Sequence, residues 1–247
     1  MAYILSRDVY DLQASKPVTN FRSYILVPAS DAAASRSALA GSADLVVLDL
    51  EDTVPDDLKP RARIMLRTGM SADWVGDDRC AVRVNTWNSK AGEVDRMALA
   101  GLYLPAVVLP KVDTPEAVAT ARQILTDDEF GASALHVIIE TPGGLTNISA
   151  ITKAGVASLV VGAFDLAKAL GIDPDPSSAQ IIEARKAVAA AANSAGVASF
   201  DMPWVDLEDG DGFEAHLVQA LDLGFTGCCA MNEAQAQRIN MVFSGSR

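Results

Sequence analysis

The chain has 247 residues, with 32 acidic against 20 basic side chains and a formal charge of −12. That balance works against nucleic acid and anionic membranes as partners, and any phosphate-bearing ligand would need a local cluster of cations. Half of the residues are hydrophobic and 6% are aromatic, the composition of an α/β enzyme long enough to bury one large core.

The N-terminal stretch MAYILSRDVYDLQASKPVTNF carries Asp8 and Asp11 and has no long apolar centre, unlike a signal peptide. No segment approaches the ~20 apolar residues of a membrane helix, so a cytoplasmic protein is expected. Residues 1–20 are expected to form an N-terminal arm. Eight β-rich runs follow, at 23–30, 44–52, 80–85, 106–111, 136–141, 158–166, 197–203 and 225–232. Alanine-rich helical stretches separate them. One, at 114–130, opens with Thr114 as N-cap, Pro115 at the first helical position and Glu116 in the first turn. Another, EARKAVAAAANSAG, ends on Gly196, a natural C-cap. Alternating strands and helices predict βαβ units and a parallel sheet. Eight units in a chain of this length predict a single (β/α)₈ TIM barrel of the α/β class spanning residues 1–247. The final SGSR is expected to fray.

Side chains alternate across a strand. On that rule Asp49 and Glu51 share a face in LVVLDLED, Arg83 and Asn85 share one in CAVRVN, and Ile138 pairs with Glu140 in HVIIET. Asp165 closes LVVGAFDL, and Lys111 closes AVVLPK. These polar groups gather at C-terminal strand ends, the catalytic face of a barrel. Glu140 and Asp165 are the candidate metal ligands, because two neighbouring buried carboxylates are costly unless a cation joins them, and Mg²⁺ favours such oxygens. Arg83 could bind substrate or pair with Asp49 or Glu51. Asp49 reads as a buried hydrogen-bonding residue or a substrate contact. Lys111 reads as a substrate contact or a partner of the acids. Gly143 and Gly144 let the backbone approach a ligand or form a plain turn.

Other signals are weaker. DLEDGDGF lacks the spacing of a calcium loop and reads as a solvated loop. His136 starts a run at the wrong end of the barrel for catalysis, and His216 falls in a predicted helix. Lys59 and Arg63 of KPRAR are equally readable as phosphate ligands or as caps of a surface helix. Cys80, Cys228 and Cys229 lack metal-ligand spacing and read as small buried hydrophobes. GxSxG and Walker patterns are absent.

The motifs RSYILVPAS, ADLVVLDLEDTVPDDLKPRAR, VRVN, VVLPK, IIETPGGL, VVGAFDLAKALG and GFTG, in this order from about Arg22 to Asn240, resemble the HpcH/HpaI aldolase and citrate lyase β-subunit superfamily. The absence of a histidine near the second run is similar to the citrate lyase β-like branch. The resemblance implies a TIM barrel that binds Mg²⁺, or Mn²⁺ in its place, through Glu140 and Asp165. It implies that Arg83 holds a carboxylate or carbonyl oxygen of the substrate, and that Glu51 and Asp52 hold water at the metal or assist proton transfer. The implied activity is cleavage or formation of a carbon–carbon bond beside a carbonyl, through a metal-stabilised enolate, in a trimeric or hexameric homo-oligomer. Arg36 is the lone cation of SDAAASRSALAG, and AMNEAQ stands where relatives have IHPxQ. A CoA thioester and a free 2-oxo or hydroxy acid therefore both stay open as substrates, as does a barrel that binds a ligand without catalysis.

Overall fold

The computed structural model describes residues 21–68, 78–102, 104–127 and 133–245. Within them eight parallel strands close in chain order into a barrel. They are β1 (Ser23–Pro28), β2 (Leu45–Asp49), β3 (Cys80–Arg83), β4 (Ala106–Leu109), β5 (Ala134–Ile139), β6 (Ser158–Val161), β7 (Ala198–Asp201) and β8 (Gly227–Ala230). The described helices between and after them are α1 (Ala32–Ala40), α2 (Lys59–Thr68), α3 (Lys90–Leu99), α4 (Pro115–Asp127), α5 (Pro142–Thr146), α6 (Ile148–Lys153), α7 (Ala163–Leu170), α8 (Ala179–Ala195), α9 (Gly210–Leu223) and α10 (Glu233–Val242). The predicted α/β barrel is thus the observed one. The expected N-terminal arm at 1–20 lies outside the described residues, as do the last two residues of SGSR.

The strands are buried on both faces, and this explains their near-continuous apolar runs. Val47, Ala81, Val108, Ile138, Val160 and Phe200 fill the bore. Val46, Leu48, Val82, Val107, Val137 and Leu159 pack outward under the helices. Thr114 and Pro115 open α4 as expected, with the Ala117 N–H 3.4 Å from the Thr114 hydroxyl. Gly196 ends α8 in the left-handed conformation at φ 67°. Among the described residues, no helix is long and apolar enough to cross a membrane.

Several runs overshoot their strands. The run at 158–166 is corrected most: β6 stops at Val161, Gly162 turns the chain, and Asp165 lies in the first turn of α7. The hydrophobicity continues because α7 buries Ala163, Leu166 and Ala167 at helical spacing. Glu51 and Asp52 likewise lie in the turn after β2. β5 begins earlier than expected, at Ala134, so His136 sits inside the strand, fully buried, with Nδ1 2.6 Å from the Ser158 hydroxyl. Half of DLEDGDGF is the start of α9, whose Gly212 N–H is capped by Asp209.

Lys59 and Arg63 need a different account from either one expected. Both are buried. Lys59 Nζ donates to Asn85 Oδ1 at 2.6 Å, and Arg63 Nε to Asp95 Oδ1 at 2.7 Å. Asn85 in turn donates to Asp95 and to the Leu50 carbonyl. This network ties the ends of β2 and β3 to α2 and α3, which fixes the turn carrying Glu51.

Candidate active site

The functional candidates meet at the C-terminal mouth of the barrel. β2 and β3 are in register with Asp49 opposite Arg83, and the two side chains make a bidentate pair at 2.6 and 2.7 Å. Asp49 also accepts from the Glu51 N–H and from the backbone and hydroxyl of Thr53. Burial pushes the Asp49 carboxyl pKa up, but Arg83 and these donors outweigh it and hold it below its usual value. Asp49 therefore orients Arg83, and its own lone pairs are spent inside the protein. The free edge of the guanidinium faces Glu51, with Nη1 3.1 Å from Oε2.

Glu51 is buried, and desolvation raises its pKa despite Arg83 and Lys111. Lys111 Nζ donates to Glu51 Oε1, lies 3.1 Å from Asp52 Oδ2 and 3.9 Å from Asp165 Oδ2. Burial alone would lower the ammonium pKa, but Glu51 and Asp52 hold it above normal. Lys111 has φ 53°, the left-handed region that non-glycine residues seldom adopt. That turn points its N–H at Glu140 Oε1, 2.6 Å away.

Glu140 directly follows β5 and is 3% exposed. Desolvation, then the charges of Glu51 and Asp165, push its pKa up to about 8. Gly162 stands against it. A Cβ there would run into the Glu140 side chain and lie 2.7 Å from Oε2. Asp165 is half-buried and approaches from α7 rather than from a strand end. Gly143 and Gly144 are in the first turn of α5, capped by Thr141. The close approach they permit is to the loop after β4: a Cβ on Gly143 would meet Asp113, and one on Gly144 the Val112 carbonyl.

The mouth thus gathers Asp49, Glu51, Asp52, Glu140 and Asp165 around two cations, Arg83 and Lys111. The surplus is negative, and it adds to the desolvation that already raises the Glu140 pKa. Among the described residues, no group of three or more His, Cys, Asp or Glu could hold a metal. Two carboxylates suit Mg²⁺, which keeps water or substrate oxygens for its other positions. The donor set fits that ion.

Tyr24 lies within RSYILVPAS but carries no site expectation from the sequence. Alternation in SYILVP, which puts Tyr24 and Leu26 on one face, is the sequence signal that sends it into the bore. Its hydroxyl is buried without a hydrogen-bond partner, a state that typically costs about 1–3 kcal/mol.

The HpcH/HpaI aldolase/citrate lyase family model matches residues 22–233. The chain belongs to this family. Among its HpcH/HpaI relatives, the (3S)-malyl-CoA thioesterase of Cereibacter sphaeroides (strain ATCC 17029 / ATH 2.4.9) is 30% identical over 227 residues, which cover 92% of this chain and 78% of that protein. The citrate lyase β subunit of Escherichia coli (strain K12) is 30% identical over 241 residues, covering 94% and 80%. The CitE protein of Mycobacterium tuberculosis with magnesium and acetoacetate superposes with a TM-score of 0.78 at 25% identity over 92% of both chains. The same protein with magnesium, acetoacetate and coenzyme A gives 0.77 at 26% identity, covering 92% of this chain and 82% of that one.

Proposed function

We propose that the chain is a Mg²⁺-dependent carbon–carbon lyase of the citrate lyase β-like type, acting on a 3-hydroxy carboxylate or its CoA thioester. The observation that carries this reading is Glu140, a buried carboxylate with its pKa pushed up to about 8, set beside Asp165 and Arg83 at one barrel mouth. Glu140 and Asp165 would hold the metal. Bound there, Mg²⁺ supplies Lewis-acid polarisation of the substrate's carbonyl oxygen. Arg83, locked by Asp49, presents a fixed cation to the oxygen that gains charge in the transition state. Glu51 accepts the proton of the β-hydroxyl, and desolvation raises its pKa in the direction that strengthens a base. The carbon–carbon electron pair moves toward the carbonyl to give an enolate, and the hydroxyl carbon becomes a new carbonyl. Protonation of the enolate carbon completes the balance. Lys111 and Asp52 hold Glu51 in place.

The test is Glu140→Ala, assayed on malyl-CoA and citryl-CoA with and without Mg²⁺. Loss of cleavage by about 10²–10³-fold or more is expected. A wild-type rate in the variant without added metal would sink the metal assignment.

Two specific observations favour other reactions at the same site. The (3S)-malyl-CoA thioesterase relative points to thioester hydrolysis, which would give malate and free CoA instead of glyoxylate and acetyl-CoA. The exposed Arg36 is the lone cation of the segment after β1, and this favours a free acid. Calorimetry with CoA thioesters separates that case, since submicromolar affinity would remove it.

A further inference from the structure

The loop after β4 carries Lys111, the one non-glycine residue with positive φ among the described residues, at 53°. A lysine gains nothing from that conformation by itself, so contacts around the loop must hold it. They come from the chain that leaves β5. Thr141, the neighbour of Glu140, donates its hydroxyl to Asp113 Oδ1, and Asn147 Nδ2 donates to the Asp113 carbonyl at 2.8 Å. Gly143 and Gly144 let α5 lie against the loop. A Cβ on the first would sit 2.6 Å from Asp113 Oδ1, and one on the second 2.7 Å from the Val112 carbonyl oxygen. In return the Lys111 N–H donates to Glu140 Oε1 at 2.6 Å. The two bonds close a ring, because Glu140 is joined directly to Thr141 and only Val112 separates Lys111 from Asp113.

We propose that Asp113 is a positioning residue for Glu140: its bonds to α5 and Thr141 keep Lys111 in the left-handed conformation, and the Lys111 N–H then fixes the Glu140 carboxylate. That the fixed carboxylate serves as a ligand rests on the metal reading above. A backbone N–H is a neutral donor, so it orients the carboxylate and leaves its negative charge to the metal. Partners that orient ligands from outside in this way typically carry about 10–100-fold in metal affinity.

Asp113 is exposed, so its replacement leaves no cavity and the variants should fold. Asp113→Ala removes the acceptor and the charge. Asp113→Asn removes the charge and keeps an acceptor for the Thr141 hydroxyl. Two measurements are made on each variant and on wild type: NMR-detected exchange of the Lys111 amide in metal-free protein, and Mg²⁺ affinity by calorimetry. In Asp113→Ala the Lys111 amide should exchange up to about 10-fold faster, the weight of one hydrogen bond, and Mg²⁺ affinity should fall by about 10-fold. Asp113→Asn should match wild type in both. Wild-type exchange in Asp113→Ala would overturn the proposal whatever the metal does. An Asp113→Asn variant as impaired as Asp113→Ala would assign the effect to charge and also overturn it. Faster exchange in Asp113→Ala with unchanged Mg²⁺ affinity would overturn the positioning of a ligand. Faster exchange together with no Mg²⁺ binding by wild type would overturn the metal reading and leave the hold of Asp113 on Lys111 standing.

Discussion

Two arginine–carboxylate pairs in this barrel share one contact geometry and differ in everything around it. Between α8, α9 and β7, Arg185 and Asp201 are both fully buried. Arg185 donates to both Asp201 oxygens, to Gln219 and to the Pro176 carbonyl. Asp201 also accepts the Met202 N–H, and the Met202 carbonyl is met by His216 Nε2 at 2.9 Å and the Cys228 thiol at 3.2 Å. Charge balances one to one there. At the mouth, the Arg83–Asp49 pair is equally close, yet Glu51, Asp52, Glu140 and Asp165 crowd around it with Lys111 as the other cation. A sealed, saturated cluster holds helices to strands. The cluster with surplus charge is the one to which the proposed function assigns a cation.

Removing Arg185 should produce the largest effect and break the comparison if it does not. Arg185→Ala leaves Asp201 as an uncompensated buried charge, with an expected stability loss of about 3–5 kcal/mol and a fall in Tm on the order of 10 °C. Turnover per folded molecule should hold. A calorimetric scan that finds an unchanged Tm would deny this cluster its structural role.

Acid should next expose a third buried polar group, His136 inside β5. Burial lowers the His136 pKa from 6.5 to about 4. A histidine depressed in the folded state contributes its full stability above pH 6.5, and that contribution is lost as pH falls toward 4, by at most about 3 kcal/mol. Urea unfolding between pH 4 and 7 should show this slope, and His136→Asn should flatten it. An unaltered slope in the variant would place the acid sensitivity elsewhere.

Gly162→Ala should cost less, about 1–3 kcal/mol from overpacking, but it should also weaken Mg²⁺ binding, because the new methyl meets Glu140. Calorimetric titration that finds wild-type affinity would show that Glu140 need not stay where Gly162 leaves it. The smallest effect is expected at the surface. Arg238 and Glu214 are joined by two 2.6 Å bonds but are 42% and 45% exposed. Arg238→Ala should therefore change stability by less than about 1 kcal/mol. A larger shift in urea midpoint would mean that exposure does not separate this pair from Arg185–Asp201.

Much of the site was legible because strand periodicity says which side chains face the bore. Alternation puts Asp49 on the face of Val47 and Glu140 on that of Ile138, both bore residues, while the β2–β3 register sets Asp49 opposite Arg83. Asp165 was misplaced because apolar residues continue from β6 through Gly162 into α7, and a short apolar run does not distinguish strand from helix. Lys59 and Arg63 were unreadable for another reason. Their partners Asn85 and Asp95 come from β3 and α3, and nothing local to KPRAR reveals that they are buried. Tyr24 sits in a motif whose periodicity gives its direction but not its missing partner.

By itself the sequence determined the eight βα periods, the parallel barrel and the family, because burial pattern, caps and motif order are local properties of the chain. The tertiary structure alone decided the electrostatics. Lys111 reaches Glu51 across 60 residues, its left-handed backbone turns an N–H onto Glu140, and desolvation, followed by the neighbouring carboxylates, raises the Glu140 pKa. Coulomb energy depends on distance and on the surrounding dielectric, and both are set only when the strands have closed.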